Sequence, residues 1–146
     1  MQNFWDVFAA AAVRFHGNIA VEVQRAAGLE QVTYAALKTQ AEAIAAWLAA
    51  HGVTAGERCA ILADNDARWC AVYLAMLRIG AVAVPLDTNY SAAQVATVLN
   101  ASATGSRRVP ATSSRAPEAL STVATWAAES MVSSGTATAP MRNIAR

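Results

Sequence analysis

Residues 59–87 read CAILADNDARWCAVYLAMLRIGAVAVPLD, and the order of apolar and polar positions in this stretch decides the fold class. Cys59-Ala60-Ile61-Leu62-Ala63 is apolar on both parities, as a strand covered on both faces must be. Asp64, Asn65 and Asp66 close that strand and offer an N-cap. Ala67 to Ile79 then reads as a helix with Trp69, Val72, Tyr73, Met76 and Leu77 inward, and Gly80 is its stop. Ala81 to Leu86 is a second apolar strand, ended by Pro85 and Asp87. Strand, helix and strand at these short spacings predict a parallel βαβ unit with a right-handed crossover.

The same grammar extends to either side. Ser91 is placed to cap a further helix carrying Val95, Val98 and Leu99. Upstream, Thr33 caps a long helix whose apolar face is Tyr34, Leu37, Ala41, Ile44, Trp47 and Leu48, with Lys38 and Glu42 paired on its wet side. Gly52 sits where a left-handed C-terminal cap belongs, and Gly56 where the chain turns tightly into the first buried strand. Before that, Ile19, Val21 and Val23 alternate with Ala20, Glu22 and Gln24, and the Ala27-Gly28 turn lets Glu30 to Thr33 fold back as a hairpin. Asn3 precedes a first helix with the series Phe4, Phe8, Ala11/Ala12 and Phe15 facing the core, and Gly17 ends it. The fold class is therefore α/β: a β-hairpin and a parallel βαβ unit with covering helices.

Beyond Asn100 this patterning stops. Residues 1–100 hold the acids Asp6, Glu22, Glu30, Glu42, Glu57, Asp64, Asp66 and Asp87, whereas 101–146 hold five arginines against Glu118 and Glu129. The second part is dominated by Ala, Ser, Thr and Arg, with Leu120 its single leucine and Ile144 its single isoleucine. Its one apolar periodicity is Leu120, Val123, Ala124 and Ala127, enough for a short helix after Pro117. Ordering a backbone costs roughly 1–2 kcal/mol per residue, so 101–146 is expected to be a poorly structured tail. Two segments follow: 1–100, α/β, and 101–146, the tail. A change of reading frame near codon 100 in a GC-rich gene would leave this trace, and the coding DNA on both sides of that codon tests it.

Composition excludes several classes. The chain has 146 residues, is 55% hydrophobic and carries a formal charge of +1, which is one domain's worth of a globular chain. No apolar run approaches the roughly 18–20 residues of a membrane span. No basic n-region precedes Phe4, so a cytoplasmic location is expected. Arg107 and Arg108 are the one pair of adjacent bases and Lys38 the one lysine, so no nucleic-acid partner is expected. Cys59 and Cys70 lie inside apolar runs without metal-ligand spacing and read as core residues. Asp64, Asp66 and Asp87 lie at strand ends, where a Mg²⁺ cluster could form, but turn and cap duties fit them better. His16 and His51 lie at helix C-termini, where the dipole favours imidazolium, and no catalytic role is assigned to them.

Val32-Thr33-Tyr34-Ala35-Ala36-Leu37, Gly52-Val53, Gly56-Glu57-Arg58, Ala60-Ile61-Leu62, Asn65, Trp69, Leu74-Ala75 and Gly80 to Leu86 occur in an unbroken order. In that order they resemble the N-terminal region of the AMP-dependent synthetase and ligase family, the adenylate-forming enzymes, and within it the acyl-CoA synthetases (fatty-acid–CoA ligases). The resemblance covers residues 4–100. It implies a parent reaction in which a carboxylate attacks the α-phosphate of ATP with Mg²⁺ assistance and the acyl-adenylate passes to the thiol of coenzyme A. In that family the working residues lie downstream of this region, so no catalytic residue and no metal ligand is assigned here. No ATP, Mg²⁺ or CoA is expected to bind this chain.

One run is similar to the family's phosphate loop. Ser133, Ser134, Gly135 and Thr136 match its first four positions and Pro140 its proline, but Ala137, Thr138, Met141 and Arg142 replace its second threonine, middle glycine, lysine and final glycine. The lost glycine denies backbone N–H groups a close approach to phosphate, and the lost lysine removes a point charge. The expectation is an acyl-CoA synthetase portion inactive alone, with exposed apolar surface as a route to self-association. The alternative is a small non-catalytic α/β protein that binds a protein partner.

Overall fold

In a computed structural model, residues 3–102 are described. Residues 103–146, with the Leu120–Ala127 helix, Arg107, Arg108 and the Ser133–Thr136 run, lie outside them. The described elements are α1 (Phe4–Arg14), β1 (Ile19–Arg25), β2 (Gly28–Thr33), α2 (Tyr34–Ala50), β3 (Arg58–Ile61), α3 (Ala67–Arg78), β4 (Val82–Pro85) and α4 (Ala92–Ala101). β1 and β2 form an antiparallel hairpin, and β3 and β4 a separate parallel pair joined through α3. The α/β class and the βαβ unit are as the sequence predicts.

Every helix begins at a polar cap. Asn3 and Ser91 form capping boxes with Asp6 and Gln94, the Thr33 hydroxyl accepts from Ala36 N–H, and Asp66 accepts from Arg68 and Trp69 N–H. Two helices end alike. Past α2, Gly52 N–H donates to the Ala49 carbonyl and Val53 N–H to Leu48, both at 3.0 Å. Past α3, Gly80 N–H donates to Leu77 at 3.2 Å and Ala81 N–H to Met76 at 2.9 Å. Gly52 and Gly80 have φ of 83° and 74°. These are paired Schellman closures, and each buries the apolar residue that follows the glycine, Val53 or Ala81.

The main core lies between α2, α3 and α1 and continues onto Cys59 and Ile61 of β3. Ala41 and Ala45 of α2 and Ala71 and Ala75 of α3 are all buried, so α2 and α3 meet through small side chains, with Leu48 and Met76 fully enclosed beside them. A second cluster of Ala60, Leu86 and Val95 occupies the other face of the parallel pair under α4, flanked by Leu62, Val84, Val98 and Leu99. Alternate β3 residues thus point into different layers, which is why that strand is apolar on both parities.

Four expectations need correction. In α1 the inward face is Trp5, Phe8 and Ala12, while Phe4 is 61% exposed and Phe15 also faces outward. The cause is a contact with another helix: Asn3 Nδ2 donates to the Leu77 carbonyl at 3.3 Å and the Arg78 guanidinium lies 4.9 Å over the Trp5 ring, which fixes the rotation of α1 against the end of α3. In β1 a bulge between Ile19 and Val21 breaks the alternation, so Ile19 faces outward while Ala20 and Val21 pack on the core. β4 is not covered on both faces along its length: α4 reaches Val84 and Leu86, but Val82 is 46% exposed. In α3 the fully buried residues are Ala67, Ala71, Val72, Leu74, Ala75 and Met76, with Trp69, Tyr73 and Leu77 half-buried, because α2 and the strands cover this helix on two sides.

Ion pairs tie the layers together. Glu42 accepts from Lys38 Nζ at 2.8 Å, as expected, and also from Arg78 Nη1 of α3 at 3.1 Å. The Lys38 hydrogen bond holds the Glu42 carboxyl below its ordinary pKa. Among the described residues no helix is long and apolar enough to cross a membrane.

Candidate functional site

Ligands of open α/β sheets bind outside the carboxyl ends of parallel strands, here Leu62–Asp66 after β3 and Leu86–Ser91 after β4. Asp66 and Asp87, at those ends, are both occupied. Asp66 Oδ1 accepts from Arg68 N–H at 2.9 Å and Trp69 N–H at 3.0 Å, and its Oδ2 accepts from Arg25 Nη2 at 3.1 Å. Arg25 also holds Glu30 at 3.0 Å, and these hydrogen bonds, that to Glu30 first, raise the guanidinium pKa further. Asp87 Oδ1 accepts from Asn89 N–H at 2.8 Å and from Asn89 Nδ2 at 2.9 Å, which is an Asx turn. Asp66 and Asp87 therefore serve as cap and turn residues, and Asp64 is not brought into a cluster with them: among the described residues no group of three or more His, Cys, Asp or Glu could hold a metal ion.

The histidines sit where the sequence places them. His51 caps the C-terminus of α2, with Nδ1 2.9 Å from the Trp47 carbonyl and its ring stacked on Trp47 at 3.7 Å. A carbonyl only accepts, so Nδ1 carries the proton in that contact. The His16 carbonyl accepts from Ala35 N–H at 3.1 Å, holding the turn after α1 to the start of α2. Lys38 is spent on Glu42.

An open groove of about 330 Å³ runs along α4, lined by Tyr90, Ala93, Gln94, Thr97 and Val98. Gln94 Oε1 accepts from Ser91 N–H at 2.8 Å and the Thr97 hydroxyl donates to the Ala93 carbonyl at 2.8 Å. No charged side chain lines it, so the groove offers nothing to a polyphosphate.

Both cysteines are free, Cys59 buried and Cys70 half-buried. Burial, with a contribution from Glu57, pushes the Cys59 thiol up to about 11, and burial followed by Asp66 raises Cys70. Only thiolate reacts, and burial disfavours the thiolate of Cys59 most. A maleimide or disulfide reagent is expected to label Cys70 slowly and Cys59 only at the rate of unfolding. Equal rapid labelling of both would contradict the buried placement of β3.

The sequence passed over Arg25, Arg78 and Asn89. Asn89 carried a signal, since Asp-x-Asn after a strand is turn chemistry. Arg25 and Arg78 carried none, because their partners Asp66 and Glu42 are remote in the chain.

A family model described as AMP-binding enzyme matches residues 8–136. The chain is 40% identical to the medium-chain fatty-acid–CoA ligase of Escherichia coli over 68 residues, which is 47% of this chain and 12% of that enzyme. It is 30% identical to the hybrid PKS-NRPS synthetase apdA of Emericella nidulans over 100 residues, 68% of this chain and 2% of that one. Among solved structures, the N-terminal subdomain of Klebsiella oxytoca NpsA in complex with anthranilyl-AMSN superposes with a TM-score of 0.64 at 28% identity, over 69% of this chain and 26% of that one. The chain thus spans about an eighth of the length of the ligase it matches.

Proposed function

Because the chain belongs to the AMP-binding enzyme family, we propose that residues 3–102 are the leading scaffold of an acyl-CoA ligase's N-terminal subdomain. They set the first parallel strands and their covering helices against which the ATP- and acyl-binding parts are built. The observation that carries this reading is the 0.64 superposition at 28% identity on the NpsA subdomain. The parent reaction forms a bond between a carboxylate oxygen and the α-phosphorus of ATP as pyrophosphate leaves. The coenzyme A thiol then attacks the acyl carbon and AMP leaves. A fatty acid is the proposed substrate, on the strength of the medium-chain and long-chain ligases among the relatives.

The described residues do not fit ATP with Mg²⁺. Asp66 and Asp87 are committed to cap and turn, and Lys38 to Glu42. The part of residues 3–102 is to hold β3 and β4 in register and to keep water out of the layer between α2, α3 and the sheet. The family match runs to residue 136 and takes in Ser133, Ser134, Gly135 and Thr136. That supports descent of this run from a phosphate loop. Without the lysine and the middle glycine the run would hold phosphate poorly, so the 146-residue chain is proposed to be inactive alone. Purified chain is expected to give no exchange of labelled pyrophosphate into ATP above a blank lacking carboxylate, across fatty acids of several lengths. Exchange that rises with added fatty acid would overturn the proposal of inactivity.

A further inference from the structure

Only one side of α1 is packed. Trp5, Phe8 and Ala12 face α2 and α3, while Asp6, Val7, Ala10, Val13 and Arg14 all stand exposed on the opposite side. A helix face left to water is ordinarily polar, yet this one carries two charges among apolar side chains. Val13 is 73% exposed, Phe4 61% and Val7 55%, the three most exposed large apolar residues of the described chain. All three belong to one helix, and exposed apolar surface gathered in one place marks an interaction surface.

The two charges say what fits there. Asp6 and Arg14 lie four residues before and four after Ala10, and Val7 and Val13 three before and three after. The face is therefore its own complement when a second α1 crosses it antiparallel at Ala10. Asp6 of each copy then comes level with Arg14 of the other, and Val7 with Val13. The small Ala10 at the crossing lets the two helix axes approach to about 8 Å. A parallel pairing would instead set Asp6 against Asp6 and Arg14 against Arg14, which repulsion disfavours. Both ions are available for the antiparallel one. Asp6 accepts from Asn3 N–H at 3.0 Å through Oδ2, which leaves Oδ1 to a partner. Arg14, 5.0 Å over the Phe15 ring, enters no ion pair among the described residues.

We infer that the outward face of α1 is a homodimer surface, on which two copies of this chain pair antiparallel about Ala10. Every residue involved lies in α1, so the pairing is independent of the ligase reading above. Its extent limits its strength: a helix of 11 residues offers less than the roughly 800 Å² per partner of a standard interface. A Kd of about 1–100 µM is therefore expected.

Sedimentation equilibrium of the full 146-residue chain, from about 1 to 300 µM, is expected to show a monomer in equilibrium with a dimer. Arg14→Glu alone sets acid against acid at both ends of the helix pair, and Asp6→Arg alone sets base against base. Each is expected to weaken the dimer at least about tenfold. An equimolar mixture of the two variants restores opposite charges at both ends and should recover the dimer as a heterodimer, which unspecific clustering of apolar surface would not do. Asp6→Arg also removes half of the capping box. Should it fail to fold by circular dichroism, Val13→Glu, at the most exposed of these positions, takes its place beside Arg14→Glu, with a loss of at least about tenfold expected from each. A monomer throughout, with α1 bare or covered by residues 103–146 of its own chain, would overturn the inference. So would a dimer indifferent to folded Arg14→Glu and Val13→Glu, a mixture of the two charge variants that stays monomeric, aggregation without a defined dimer, or a monomer that binds phosphatidylcholine vesicles through α1 instead.

Discussion

Leu48→Ala is expected to remove about 2–5 kcal/mol of folding free energy, toward the upper end of that range. The side chain is fully buried in α2 and belongs to the core shared with Met76, Val72, Ala71 and Ala75 of α3. A cavity costs least where its walls can collapse inward, and here they cannot. The alanines Ala41, Ala45, Ala71 and Ala75 already bring α2 and α3 close, so neither helix can move in without backbone contact. The helix end adds a second constraint, because the Leu48 carbonyl accepts from Val53 N–H and the C-terminal turn of α2 is anchored there. Domains of this kind have roughly 5–15 kcal/mol in total, so the variant should unfold at markedly lower urea concentration with an unchanged slope. Phe4→Ala is the companion measurement: Phe4 is 61% exposed, and its loss is expected to stay within about 0.5 kcal/mol. A large effect at Phe4 would show that the face of α1 read from the sequence, and not the one in the structure, is the buried one.

That contrast marks what a single sequence discloses. The parallel unit was legible because a strand enclosed on two faces leaves a run without polar interruption, and Cys59–Ile61 has it. Helix ends were legible for a related reason: caps are local, and Asn3, Thr33, Asp66, Ser91, Gly52 and Gly80 need only neighbours within a turn to act. What local patterning cannot fix is rotation about a helix axis. Phe4, Phe8 and Phe15 form as good a stripe as Trp5, Phe8 and Ala12, and the choice between them is made by Leu77 and Arg78, remote in sequence. The bulge at Ile19 and the bare end of β4 have the same origin, since each depends on what another element does or does not cover.

For the candidate site the sequence was informative about the carboxylates and silent about their partners. Asp66 ahead of a helical run reads as a cap and Asp87 at a strand end as a turn residue, and both have those roles, although Asn89, the partner in the turn, was passed over. The arginine that binds Asp66 and the one that joins Glu42 come from the hairpin and from α3, and only the packed chain brings them together.

Gly80→Val is expected to be the most damaging change outside the core, at about 2–4 kcal/mol. Gly80 holds φ of 74°, where a β-branched side chain is a true outlier. It also lacks room: a Cβ there would stand 3.2 Å from the Ala55 Cβ and 3.7 Å from its Cα. Relief by a shift is blocked on three sides, because Gly80 N–H donates to Leu77, the Gly80 carbonyl accepts from Gly56 N–H at 2.8 Å, and the next residue closes onto Met76. The strain would therefore pass into the turn at 54–57 and into the start of β4, which it feeds. Gly56→Ala separates the two causes. Gly56 has φ of 81° with nothing within 4 Å of the added atom, so it carries the backbone penalty alone, about 1–2 kcal/mol. Gly17→Ala, with neither a positive φ nor a near neighbour, should be close to neutral. Urea unfolding of the three variants should rank them Gly80→Val, Gly56→Ala, Gly17→Ala in order of loss. If Gly80→Val proved no worse than Gly56→Ala, the close approach of Ala55 to the α3–β4 turn would be refuted, and with it the pinning of β4 against the entry to β3.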